Sequence, residues 1–185
     1  KDTPLYMIGS NLAYNAGQLG NDWENDVRLY YVTAILEAGK YLVGRKVYTL
    51  GKAIGDNGQT RYYFTNGTGI GVGLGAGSGI AVGGTFLKNT NNPEDIKDKG
   101  NSISLSFTGF VSFSISAEFS DGAKNSGLSG SLGSGGGASA SVGYTRGKTI
   151  VARTIPELLS KVSIPNEKIR KKVIEEFKKF ESKAR

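Results

Sequence analysis

The stretch TGIGVGLGAGSGIAVGGTF, residues 68–86, puts glycine at every odd position from Gly69 to Gly79 and Ile70, Val72, Leu74 and Ala76 at the even positions between. Three readings compete: a phosphate-cradling loop, a flexible linker, or a strand with one bare face. A nucleotide loop needs Gly-x-Gly-x-x-Gly between a strand and a helix. Here the spacing is Gly-x-Gly-x-Gly, and strand pattern continues after it. Gly133–Ala138 comes closer in spacing, but no helical pattern follows it. A linker has no reason to put an aliphatic residue at every second position. The strand remains, because side chains that alternate between two faces are what a β-strand gives.

Two further segments share the design. In SISLSFTGFVSFSISAEFS, residues 102–120, the odd positions carry Ile103, Leu105, Phe107, Phe113 and Ile115, and the even ones Ser104, Ser106, Ser112, Ser114 and Ser116. In SGLSGSLGSGGGASASVGYTR, residues 126–146, Leu128, Leu132, Ala138, Ala140, Val142 and Tyr144 alternate with serine and glycine. Twenty unbroken strand residues would span about 66 Å, far beyond an ordinary strand. The sequence therefore predicts a bend or turn within each segment, near Gly75–Gly79, Gly109 and Gly133–Gly137.

So many glycines on one face need a cause, since each costs a strand on the order of 0.5–1 kcal/mol relative to alanine. Close packing of another backbone is one cause. A water-filled lumen lined by small residues, with the apolar face toward lipid, is a second. A small closed barrel with a crowded interior is a third. The serines favour the second, since hydroxyls facing water need no protein partner whereas buried ones do. The near absence of charge on the polar face points the same way: between Arg61 and Glu94 the sole charged residue is Lys88. The small face is accordingly assigned to Ser104, Ser106, Ser112, Ser114, Ser116, Gly71, Gly73 and Gly75, and the apolar face to Ile70, Val72, Leu74, Ile103, Leu105, Phe107, Phe113 and Ile115. Whether that apolar face meets a core or lipid is left open by alternation alone.

Around this centre, Asp22 followed by Trp23 to about Ala38 carries Val27, Tyr30, Tyr31, Ala34, Ile35 and Ala38 at helical spacing, with Glu24 and Asp26 in the first turn and Gly39 past the end. We read it as an N-terminal helix, with a strand over Leu29–Leu36 as the competing reading. Residues 41–54 and 60–65 read as strands around an Asn57-Gly58 hairpin signal, and residues 87–101 as an exposed loop. Thr154-Ile155-Pro156-Glu157 is a capping box that starts a short helix. Pro165 opens a second helix to about Lys183, whose apolar face is Ile169, Val173, Ile174, Phe177 and Phe180. The expected fold is α+β and β-rich: an antiparallel barrel or strongly bent sheet with an N-terminal helix and C-terminal helices. Residues 1–150 form the β-domain, and residues 151–185 a basic helical appendage packed on it.

Composition excludes much. With neither cysteine nor histidine in 185 residues, disulfides, thiol or imidazole catalysis and Cys/His metal sites are unavailable. No metal or cofactor is expected. A net charge of +7 favours anionic partners. Residues 165–185 carry eight Lys/Arg and four Glu, so Arg170, Lys171, Lys172, Lys178 and Lys179 are candidates for an anionic membrane surface. The alternative is a solvated helix packing its apolar face on the sheet. Tyr30, Tyr31, Tyr41, Tyr48, Tyr62, Tyr63 and Phe64 read as core, with an interfacial aromatic belt as the other possibility. Glu118 and Arg146 are the candidate catalytic pair of a histidine-free enzyme, against a strand-end salt bridge. Lys1-Asp2-Thr3-Pro4 begins no apolar leader, so the expectation is a chain without a signal peptide, mature or cut from something larger.

TRYYFTNGTGIGVGLGAGSGIAVGG (60–84) together with SISLSFTGFVSFSISAEFS resembles the glycine-rich β domains at the C-termini of bacterial Rhs and other polymorphic toxin proteins. The alternation is also similar in character to the membrane-inserting hairpins of β-pore-forming toxins. The resemblance covers about residues 60–147 and is compositional, so it assigns no catalytic residue. It implies a secreted or delivered effector domain, membrane-active, with a cognate immunity protein and oligomers among its partners. A histidine-free toxin enzyme such as a nuclease, for which nucleic acid is the partner, is the first alternative. A non-catalytic binding or structural β-domain is the second.

Overall fold

The computed structural model describes residues 27–55, 58–88, 92–96, 100–119 and 126–183. Five strands, β1 (Val27–Ile54), β2 (Thr60–Lys88), β3 (Gly100–Thr108), β4 (Ser112–Phe119) and β5 (Ser126–Ala152), are followed by helices α1 (Ile155–Leu159) and α2 (Glu167–Lys183). A 3-10 turn, Pro93–Ile96, lies between β2 and β3. All pairings are antiparallel, in the order β1-β2-β5-β3-β4, and β4 also pairs with β5. These pairings do not by themselves close the sheet.

The strands of 27 to 29 residues are possible because they are creased. Gly39 pairs with Gly75, and Gly75 with Ser139, so the bends of β1, β2 and β5 stand side by side. Tyr41, Gly75 and Gly137 have φ of +67°, +112° and +71°, a left-handed backbone that glycine adopts without a Cβ clash. β1 folds back far enough for the Thr33 and Thr49 hydroxyls to hydrogen-bond at 2.9 Å. The expected break at Gly109 is the turn between β3 and β4.

The expected helix over Trp23–Ala38 is overturned from Val27 onward, where the chain is the first half of β1; Asp22 to Asp26 lie outside the described residues. Val27, Leu29, Tyr31, Thr33 and Ile35 are buried on one face and Val32 and Ala34 on the other. A strand apolar on both faces has no period of two, and its run fits a helical stripe equally well.

α1 and α2 form as expected. The Thr154 side chain accepts from the Glu157 N–H, capping α1. Val173, Phe177 and Phe180 of α2 pack with Leu158, Val162 and Ile164 onto Val32, Ala34, Tyr48, Leu50, Phe64 and Val82. This is the main core, and it lies outside the crease, between helix and sheet. A second cluster, Val27, Leu29, Tyr31, Ala53, Tyr63 and Ile96, lies inside it, with Ile96 entering from the 3-10 turn. Most of the tyrosines read as core are core; Tyr41, at the bend, is exposed.

Candidate functional site: a polar interior behind an apolar wall

Folding the sheet turns its small face inward. Odd positions of β1, β2 and β5 and even positions of β3 and β4 face one another across the interior. Its centre is an ion pair on β1. Arg45 Nε donates to Glu37 Oε1 at 2.9 Å, with both side chains buried. The rest of the guanidinium donates to Ser104 Oγ, to Thr145 Oγ1 at 3.3 Å, to Ser106 Oγ at 3.1 Å and to Ser141 Oγ at 2.7 Å. Glu37 accepts from Ser106 on one oxygen and from Ser139 at 3.0 Å on the other. A buried ion pair is tolerable only when its remaining donors and acceptors are satisfied, and these hydroxyls satisfy them.

Ser104, Ser106 and Ser112 are thus enclosed, and Ser114 and Ser116 are partly so. The argument that these serines face water fails, because the hydroxyls find protein partners. Ser112 Oγ bonds the Gly109 backbone, and Ser114 bonds Ser131 at 2.7 Å. Gly71, Gly73 and Gly75 are small for a steric reason: a Cβ at any of them would meet the backbone of β5. The signal that finds the network is in β1, where Glu37 and Arg45 fall in register with the inward face. Sequence reasoning passed over both.

The apolar face behaves in the opposite way. Ile70, Val72, Leu74, Ile103, Leu105, Phe107 and Ile115 are exposed, Val72 to 72%, and Phe113 is half-buried. Leu128, Val142 and Tyr144 extend the same wall, while Tyr41, Leu42, Phe110 and Val111 expose apolar surface at the bends. Phe107 stacks on Phe113 with centroids 4.7 Å apart. Among the described residues, fourteen large apolar side chains are each at least 38% exposed, and apolar surface gathered in this way marks a site that meets a partner or a membrane.

Toward the opposite end from the bends the interior opens into a cavity of about 190 Å³, lined among others by Tyr31, Tyr63, Thr85, Ser116, Glu118 and Ser129. Tyr31 Oη bonds Ser129 Oγ at 2.5 Å. Burial pushes the Glu118 carboxyl up to about 7, against a smaller lowering by its hydrogen bond from Ser116.

The candidate catalytic pair is not assembled. Glu118 lines the cavity, whereas Arg146 adjoins the inward Thr145 and is exposed on the outer face. In α2, Lys171, Lys172 and Lys178 are exposed, Arg170 and Lys179 are partly buried, and Lys179 pairs with Glu175 at 3.7 Å and Glu176 at 3.6 Å. The apolar side of α2 is spent on the sheet, as the solvated-helix reading requires. No described helix is long and apolar enough to cross a membrane, a criterion that does not bear on strands. No family model, curated protein or solved structure matches this chain.

Proposed function

We propose that this chain is a membrane-active β-domain of effector type that seats its apolar wall in the outer part of a lipid bilayer. The observation that carries the reading is the inverted polarity of the sheet next to the bends: ions and hydroxyls inside, aliphatic and aromatic side chains outside. Water-soluble sheets bury their apolar face and wet the other. Proteins that meet lipid do the reverse.

In this reading the creased sheet closes into a barrel of eight half-strands. Each half of β2 and β5 pairs on both sides, β3 with β4 seals one side, and the two halves of β1 meet on the other, where a Cβ on Gly51 would meet the Tyr30 carbonyl. Two features favour seating over spanning. The apolar rows from Ile70 to Ala76 at the bend cover six residue steps, about 20 Å of strand, against a hydrocarbon core of ~30 Å. In addition, α2 covers the β1 side with a basic helix, so lipid cannot encircle the sheet. Arg45 and Glu37 fill the interior near the bends, which favours perturbation of one leaflet over a monomeric channel. The nuclease alternative loses its pair, since Glu118 and Arg146 lie on opposite faces.

Flotation with vesicles of phosphatidylcholine and phosphatidylglycerol tests this. The chain is expected to float, and Val72→Glu with Leu105→Glu, which belong to neither buried cluster, to abolish floating while leaving the melting temperature unchanged. A chain that stays in the bottom fraction, or a double-Glu variant that floats as well as the parent, overturns the proposal. A concentration-dependent oligomer that dissociates in the same variant assigns the wall to a second copy instead.

A further inference from the structure

Neither the network at the bends nor the apolar wall makes use of Glu118. It reaches the interior from β4 and remains partly accessible on the side of the cavity it lines. Among the described residues, the other two enclosed glutamates have cations: Glu37 has Arg45, and Glu181 has Lys52 at 3.2 Å. Glu118 has the Ser116 hydroxyl at 2.9 Å and, among the described residues, no cation. Arg45 is the one Lys or Arg among the cavity's described lining residues, and its donors are committed to Glu37 and four hydroxyls. A carboxylate in such a place is costly unless something positive pairs with it.

The surroundings suit one class of cation. The buried aromatic side chains of Tyr31 and Tyr63 line the same cavity, as do Leu29, Leu87 and Phe119. Aromatic rings attract organic cations, and carboxylates and hydroxyls accept from their N–H groups. A cavity of about 190 Å³ is somewhat larger than the ~150 Å³ space that takes up a benzene ring. A hydrated metal ion would leave the apolar lining unused.

We propose that this cavity binds a small organic ammonium ion on a one-ring or short aliphatic body, with Glu118 as its counter-ion and the tyrosine rings alongside. The Glu118 end of the cavity lies away from the bends, so the ligand comes from water and binding does not require lipid. The titratable groups lining the cavity with Glu118 are Tyr31, Tyr63, Asp95 and Arg45. Burial raises both tyrosines above their ordinary range, so they stay protonated. Arg45 is held by Glu37, and Asp95 lies exposed on the 3-10 turn. The binding is therefore controlled by Glu118, whose carboxyl burial lifts to about 7.

Calorimetric titration of the full chain, without vesicles, with benzylammonium, benzyltrimethylammonium and benzyl alcohol tests this. Both cations are expected to bind at about pH 8.5 and to weaken roughly tenfold or more near pH 5.5, where Glu118 is mostly protonated. Benzyl alcohol is expected not to bind. Glu118→Gln is expected to abolish cation binding without lowering the melting temperature, whereas Glu94→Gln, outside the cavity lining, leaves it intact. Absence of binding by both cations at millimolar concentration and pH 8.5, equal affinity at the two pH values, or binding that survives Glu118→Gln overturns the assignment. Because no lipid is present, these outcomes are separate from those of the flotation experiment.

Discussion

Arg45 and Glu37 are eight positions apart on one strand, yet they meet because the strand doubles back between them. Removing one partner leaves the other charge buried among hydroxyls, so Arg45→Met or Glu37→Gln is expected to cost about 3–5 kcal/mol, read as a lowered urea midpoint. The double variant Glu37→Leu/Arg45→Leu is expected to cost less than the sum, since it leaves no orphan charge. Glu118 gives a pH signature. Its carboxyl, raised to about 7 in the folded chain from ~4.3 unfolded, adds stability that is complete below about pH 4 and is lost as pH rises through 7. The parent should therefore lose on the order of 3 kcal/mol between pH 4.5 and 7.5 through this group. Glu118→Gln should flatten that slope in urea titrations at stepped pH. The alternation that predicts strands is plain at residues 102–119, where polar and apolar residues trade places without exception outside the turn. Which face turns inward is not, because alternation is symmetric; the deciding residues are two charges on β1, which faces these strands across the interior.

At the scale of elements, the crease exists because β1, β2 and β5 bend side by side. Gly137 sits there with φ of +71°, and a Cβ would also meet the Ala76 carbonyl. Gly137→Ala is expected to destabilise by about 1–2 kcal/mol, whereas Gly136→Ala, with open space around its Cα, should be nearly silent. Comparing their thermal midpoints isolates the bend. The glycine clusters foretell these bends, as Thr154 and Pro165 foretell the helices, because turn and cap chemistry is local. β1 was hidden for the opposite reason. Its first half is covered by α2 outside and by the threonines and tyrosines inside, and burial on both faces erases the signature of a strand.

Over the whole molecule, the outer surface is divided between two covers. α2 shields the β1 side through Val173, Phe177 and Phe180, and the wall around Val72 and Leu105 is left open. Phe177 is fully buried, so Phe177→Ala is expected to cost about 3–5 kcal/mol and to increase binding of a hydrophobic dye as the helix loosens. Leu105→Ala, in the open wall, should cost little by the same urea assay. α2 also follows, in the chain, every strand that it covers. During synthesis the sheet leaves the ribosome with both its sides greasy, and the nascent domain stays adhesive until that helix emerges to close one of them. A chaperone or a nearby lipid surface therefore has its widest opportunity before translation reaches Glu167, and a stalled or truncated product would carry that stickiness permanently.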